Sequence, residues 1–139
     1  MSQKLILVKY ELEDEIPIDE SSENLQSTYA PAELVDWAIE NKCSSEIKIK
    51  ESAGDVADIP VTTINDDQDN CLERILQYVE AKLFRCIEEA HSHFAGSVLI
   101  NKERDNDFSI LHIWLNLREL LKEKEGKYRN SRNIKLVIG

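Results

Sequence analysis

The clearest hydrophobic pattern in the chain is a helical repeat between residues 70 and 96. On a helical wheel, nine apolar positions fall within an arc of about 120°, the stripe expected of a helix packed against a core. They are Leu72, Ile75, Leu76, Val79, Leu83, Cys86, Ile87, Ala90 and Phe94. Asn70 or Asp69 can cap the first turn, and Gly96 suits the left-handed residue that often ends a helix. We therefore predict one long amphipathic helix around which the other elements pack.

Shorter patterns on either side predict two more helices and five strands. Helices are predicted over residues 30–43, where Pro31 suits a first turn, and over residues 107–125. The second segment also fits an alternating strand, although its length and its charged tail favour a helix. Strands are predicted over residues 3–12, 45–51, 58–64, 97–101 and 133–138. Residues 13–28 contain Pro17 and many acidic side chains, and they are predicted to form an acidic exposed loop.

This order of elements predicts a single α/β domain over residues 1–139. Strands that alternate with helices favour a mostly parallel or mixed sheet of four to five strands, covered by three helices in a three-layer sandwich. The alternative is an α+β domain in which strands 58–64 and 97–101 form antiparallel pairs. The dense apolar run in residues 3–12 places that strand near the centre of the sheet.

The net charge of −10 is distributed unevenly along the chain. Residues 1–73 contain 18 acidic and 5 basic residues, and residues 11–41 contain ten acidic residues with no lysine or arginine. Such a surface repels nucleic acid and anionic membranes, and it attracts basic proteins and cations. No apolar run is long enough to cross a membrane, and the N-terminus lacks a signal-peptide pattern. We therefore expect a cytoplasmic protein that contacts no membrane.

The residues capable of catalysis or metal binding form no known motif. The sequence contains no P-loop, no GxGxxG, no GxSxG and no HExxH. His91 and His93 would point about 200° apart on a helix, so one ion could not bind both. Cys43, Cys71 and Cys86 form neither a CxxC pair nor a zinc spacing, and we expect three free thiols in a reducing compartment. We predict no metal site and no cofactor.

The acidic loops are the strongest candidate for a functional site. In a parallel sheet, the loops that follow strands lie at one edge, which is where open α/β sheets bind ligands. Acidic residues can also simply stabilise helix N-termini, which would account for those in residues 66–69 without any function. The predicted partner-binding residues are Glu13, Asp14, Glu15, Asp19, Glu20, Glu23, Asp66, Asp67 and Asp69.

These features predict a non-enzymatic acidic protein-interaction module that binds a basic protein partner and can inhibit it. An immunity-type or toxin-neutralising inhibitor, or a nucleic-acid mimic, belongs to this class. The alternative is a divalent-metal-dependent enzyme for phosphoryl transfer or hydrolysis that uses carboxylates at the sheet edge. A third reading is a subunit that packs into a larger complex through Trp37 or Tyr29. The sequence predicts neither the partner nor the oligomeric state.

Overall fold

The computed structural model of the chain describes residues 3–54, 58–65, 70–95, 101–129 and 131–139. Its elements, in chain order, are β1 (Gln3–Glu13), β2 (Ile16–Ala30), α1 (Ala32–Glu40), β3 (Ser44–Lys50), β4 (Asp58–Ile64), α2 (Cys71–Ala95), α3 (Asn101–Gly126) and β5 (Ile134–Ile138). The three predicted helices are confirmed, and the ambiguous segment 107–125 lies within α3. Of the predicted strand 97–101, residues 97–100 lie outside the described residues and Asn101 begins α3.

The five strands form a closed barrel in the order β1-β2-β3-β4-β5, and β5 pairs with β1 to close it. β1 is antiparallel to β2 and β5, and β4 is antiparallel to β3 and β5. β2 and β3 run parallel, with Ile18 opposite Lys50. The predicted three-layer sandwich is therefore wrong, because the sheet is a closed mixed barrel accompanied by three helices.

The error originates in residues 13–28, for which the sequence predicts a loop. They instead form the turn and most of the second strand of the β1–β2 hairpin. Asp14 and Glu15 make a two-residue turn between the paired residues Glu13 and Ile16. Both turn residues have positive φ, 52° and 68°, as a type I′ hairpin turn requires. Because this hairpin makes β1 and β2 antiparallel, α1 forms the one crossover between parallel strands in the described residues. In the part of the chain that the structure describes, strands and helices therefore alternate as a parallel sheet requires only from β2 through α1 to β3.

β1 is apolar on both faces because each face packs against a different cluster. Leu5 and Leu7 join buried side chains from all three helices in the main core. Val8 and Tyr10 point to the other face and join Ile49 in a smaller cluster, which contains only strand residues among those described. This burial on two faces explains the dense apolar run that the sequence shows in β1.

The predicted apolar stripe of α2 is confirmed in its N-terminal half. Leu72, Leu76 and Leu83 are buried, together with the residues between them on the same face. Farther along, Ile87 is 49% exposed, and the side chain of Phe94 lies outside the described residues. A helix of 25 residues is about 37 Å long, about twice the length of a five-residue strand. The second half of α2 therefore extends past the core.

A disulfide between Cys43 and Cys71 joins the end of the α1 segment to the start of α2, with the two Cα atoms 5.4 Å apart. The prediction of three free thiols is therefore wrong, although Cys86 is outside this disulfide. Arg74 strengthens the same junction. Its Nη2 donates a hydrogen bond to Oδ1 of Asn41 at 3.1 Å, and its guanidinium carbon lies 5.9 Å from the centre of the Trp37 ring.

Candidate functional site

β2 contains a large bulge in the part of the strand that carries predicted site residues. Lys9 of β1 lies opposite Glu23, and Glu11 of β1 lies opposite Ile18. Tyr10, the one residue of β1 between these two pairs, is thus opposed by the four residues 19–22 of β2. Such a bulge leaves its extra residues outside the ladder and lets their side chains project from the strand.

The Ser21 hydroxyl closes the bulge. Its Oγ accepts a hydrogen bond from the Glu11 N–H at 2.8 Å and donates one to the Ile18 carbonyl at 2.7 Å. The serine therefore replaces backbone pairing that the bulge removes. Asp19 and Glu20, held between these bonds, are exposed.

The bulge contacts the turn between β3 and β4. The Glu20 N–H donates a hydrogen bond to the Glu51 carbonyl at 2.9 Å. Asp19, Glu20, Glu51 and Ser52 line an open depression of about 330 Å³. Three carboxylates and one hydroxyl therefore surround the same space.

The β1–β2 turn lies at this end of the barrel as well. Oε2 of Glu13 accepts a hydrogen bond from the Gly54 N–H at 2.9 Å, and Oε1 of Glu13 lies 3.8 Å from Nζ of Lys50. Both contacts belong to the end of β3 and the turn that follows it. We call this surface the acidic end of the barrel, and it consists of Glu13, Asp14, Glu15, Asp19, Glu20 and Glu51.

Two basic side chains contact the acidic end and neutralise only part of its charge. The ion pair of Lys50 with Glu13 is partly buried, whereas Nη1 of Arg132 lies 3.5 Å from Oε2 of Glu15 in a pair whose side chains are 81% and 73% exposed. An exposed pair of this kind is screened by salt and contributes little stability. Burial raises the pKa of Tyr10, and the negative charge of Asp19 raises it further.

Five of the nine predicted site residues meet at the acidic end, namely Glu13, Asp14, Glu15, Asp19 and Glu20. Glu23 is exposed on β2 beyond the bulge. Asp66, Asp67 and Asp69 lie outside the described residues. The residue before them, Asn65, donates its N–H to the Cys43 carbonyl at 2.7 Å. That bond is near the start of β3, at the opposite end of the strand from Glu51.

Sequence reasoning missed Glu51 and Ser21. The alternation over residues 45–51 places Glu51 at the end of a predicted strand. Two short strands around Gly54 are nevertheless typical of a hairpin, whose turn would hold Glu51. Ser21 gave no comparable signal, because its role depends on a bulge that only the pairing of β1 with β2 reveals.

Within the side chains that the structure describes, no three His, Cys, Asp or Glu residues are arranged so that they could hold a metal ion. None of the helices in the described part of the chain combines the length and apolar character needed to cross a membrane. No protein-family model, curated protein or solved structure matches the chain.

Proposed function

We propose that the chain is a non-enzymatic interaction module whose acidic end binds a basic protein. The observation that supports this proposal is the meeting of the β1–β2 turn, the β2 bulge and the β3–β4 turn at one end of the barrel. These three segments are separate in the sequence, and together they present six carboxylates. The residue classes and their exposure fit a charged docking surface.

The geometry suggests how such a surface would recognise its partner. A field of one sign accelerates the encounter with an oppositely charged protein and orients it before contact. The depression lined by Asp19, Glu20 and Glu51 is wide enough to receive a lysine or arginine side chain. Carboxylates accept charge-assisted hydrogen bonds from a guanidinium group, often two at a time.

Binding of this kind would inhibit a partner whose function depends on binding an anion through its own basic surface. A protein whose positive patch holds nucleic acid or another anion cannot bind the acidic end and that anion through the same patch. The chain would then compete with the anion by mass action. This is the chemical basis of an immunity-type inhibitor or a nucleic-acid mimic, the class we propose.

The proposal can be tested by capturing partners from the lysate of the native host. The wild-type chain would be immobilised beside the double variant Asp19→Lys/Glu20→Lys. A matched control, Asp36→Lys/Glu40→Lys, changes the same amount of charge at two exposed positions of α1. Bound proteins would be eluted with increasing salt and identified by mass spectrometry.

We expect the wild type and the α1 control to retain the same basic protein, and the acidic-end variant to lose it. Circular dichroism would verify that all three proteins are folded. Equal retention by the acidic-end variant would refute the proposal, because the charge reversal lies at the centre of the proposed surface.

A further inference from the structure

One edge of β2 extends beyond its neighbour in the barrel. On the side away from β1, the pairing of β2 with β3 consists, among the described residues, of Ile18 opposite Lys50. β3 runs parallel to β2 and ends at Lys50, whereas β2 continues to Ala30. Residues 26–30 of β2 pair in regular register with residues 3–7 of β1. We call the side of residues 26–30 that faces away from β1 the open edge.

The hydrogen bonds of β1 show which backbone groups point to the open edge. Lys4 exchanges hydrogen bonds with Gly139 at 2.7 Å and 3.0 Å, so its N–H and C=O point away from β2. Alternate residues of a strand point these groups to opposite sides, so those of Ile6 also point away from β2. Tyr29 lies opposite Lys4, and its N–H and C=O therefore point to the open edge. The same holds for Ser27, which lies opposite Ile6.

These backbone groups are accessible to another chain. Ser27 is exposed, and Tyr29 is 44% exposed. At the open edge, neither backbone is hydrogen-bonded to a residue that the structure describes. A row of such groups can pair with the backbone of another extended chain. Residues 22–30 contain neither lysine nor proline, the residue types that commonly block this pairing at a sheet edge.

The open edge leads to the depression of the acidic end. A strand added beside residues 26–30 lies in line with β3, because both use the same side of β2. Ser27 lies opposite Ile6 and the bulge lies opposite Tyr10, four residues farther along β1. At about 3.3 Å per residue, this separation is about 13 Å. An added strand therefore reaches the depression within about five residues.

The charges along this path favour basic side chains at one end of the added strand. The three carboxylates of the depression are exposed, and none of them forms an ion pair within the described part of the chain. Glu23, between the depression and the open edge, lies opposite Lys9 and is partly neutralised by it. At the far end of the open edge, the exposed Lys4 repels a second cation. Lysine and arginine side chains are therefore favoured at the depression and disfavoured near Lys4.

We propose that an extended basic segment of the partner adds to β2 at the open edge as an antiparallel strand. Antiparallel pairing is the more stable kind, and it directs the C-terminal end of the segment toward the depression. Main-chain hydrogen bonds then supply affinity, and the carboxylates select lysine or arginine at that end. This inference rests on the proposed function, and it names the element of the basic partner that the acidic end recognises.

The β2 strand of a second copy does not have the required charge. Residues 11–41 contain no lysine or arginine, so this strand would bring acidic side chains to the acidic end. Like charges placed together in this way oppose binding. The occupant is therefore a segment of a different, basic protein.

The inference can be tested with the full chain and an end-blocked peptide of sequence TVTVTGKRK. Its TVTVT part favours a strand, and its KRK end is basic. In the free chain, the amides of Gln26 and Thr28 face β1 and should exchange slowly with solvent, whereas those of Ser27 and Tyr29 should exchange quickly. Saturating peptide should slow exchange at Ser27 and Tyr29 at least about fivefold, as measured by NMR.

A pair of variants separates strand addition from attraction between charges. Ser27→Pro removes one N–H from the open edge and keeps the bonds with β1, because this N–H points away from β1. Ser27→Ala changes the side chain alone. By calorimetry, Ser27→Pro should weaken peptide binding at least about tenfold, and Ser27→Ala should bind like the wild type. Far-UV circular dichroism would show that both variants are folded.

A modified peptide applies the same test to the unchanged protein. Methyl groups on the amides of TVTVT keep every charge and remove the donors that a strand needs. The methylated peptide should bind at least about tenfold more weakly than the unmodified one. Equal binding of the two peptides would overturn strand addition, as would a dissociation constant weaker than about 1 mM for the unmodified peptide.

The acidic-end variant distinguishes a failure of this inference from a failure of the proposed function. Asp19→Lys/Glu20→Lys should also weaken peptide binding at least about tenfold. If it does so while Ser27→Pro binds like the wild type, strand addition is wrong and the acidic end still binds basic groups. If Ser27→Pro weakens binding and the acidic-end variant does not, the charge contact is wrong, and the proposed function fails with it.

Discussion

Opening the disulfide between Cys43 and Cys71 should destabilise the protein measurably. The bond connects residues that are 28 positions apart, and it links the segment after α1 to the start of α2. Both cysteines are almost completely buried, so the bond forms within packed structure rather than at a loose surface. The bond can be removed by reduction or by the double variant Cys43→Ala/Cys71→Ala.

The size of the effect follows from the loop that the disulfide closes. A cross-link over 28 residues lowers the entropy of the unfolded chain by about 12 cal/mol/K, which corresponds to about 3.6 kcal/mol at about 25 °C. Unfolding a chain of 139 residues releases about 0.29 kcal/mol/K near its midpoint. Dividing the free energy by this entropy predicts that the midpoint of thermal unfolding falls by about 12 °C.

The assay compares thermal unfolding of protein oxidised with glutathione disulfide and of protein reduced in denaturant and refolded in reductant. Reduction should lower the midpoint of the wild type and of Cys86→Ala, and it should leave Cys43→Ala/Cys71→Ala unchanged. Denatured oxidised wild type should titrate with one thiol, since two of the three cysteines are bonded. Three titratable thiols after oxidation, or equal midpoints with and without reductant, would refute the reasoning.

Three further substitutions test separate parts of the fold. Leu83→Asp places a charge on the buried stripe of α2, and we expect loss of cooperative unfolding, because burying an unpaired carboxylate costs much of a domain's stability. Glu15→Gly should raise the free energy of unfolding by about 1 kcal/mol, seen as a higher urea midpoint, since glycine adopts the φ of 68° without strain; an unchanged midpoint would argue against the type I′ turn. The raised pKa of Tyr10 means that the folded state keeps a proton which the unfolded chain releases above about pH 10. Stability should therefore fall as the pH rises through that range, and Tyr10→Phe should show a shallower fall in urea titrations.

The elements with regular hydrophobic spacing could be predicted from the sequence. α2 follows the helical repeat closely, and β5 and β1 show short apolar runs. The α3 segment fits both a helix and an alternating strand, and only its length and charged tail favoured the helix that is observed. The arrangement of these elements could not be predicted, because β2 is mostly polar and only three of its 15 residues are buried. A strand containing Asp19, Glu20, Ser21 and Ser22 reads as a loop, since these residue types are common in turns and the bulge breaks the alternation. Without β2, the β1–β2 hairpin and the closed barrel cannot be recognised.

The acidic residues of the site could be named from the sequence, but their meeting point could not. Charge density alone selected Glu13 to Glu20, and five of these carboxylates lie at one end of the barrel. The contribution of Glu51 depends on the β3–β4 hairpin, and the Cys43–Cys71 bond depends on the contact of α1 with α2. Contacts between residues far apart in the chain leave no local pattern in a single sequence.

The rate of association between the chain and the basic protein that it captures tests the central claim most directly. Stopped-flow measurements over a range of salt concentrations would compare the wild type, Asp19→Lys/Glu20→Lys and the α1 control. Electrostatic steering predicts that association is fast at low salt and slows steeply as salt is added. We expect the acidic-end variant to bind more slowly with a flatter salt dependence, and the control to follow the wild type. Identical rates and salt dependence for all three proteins would contradict a docking role for the acidic end.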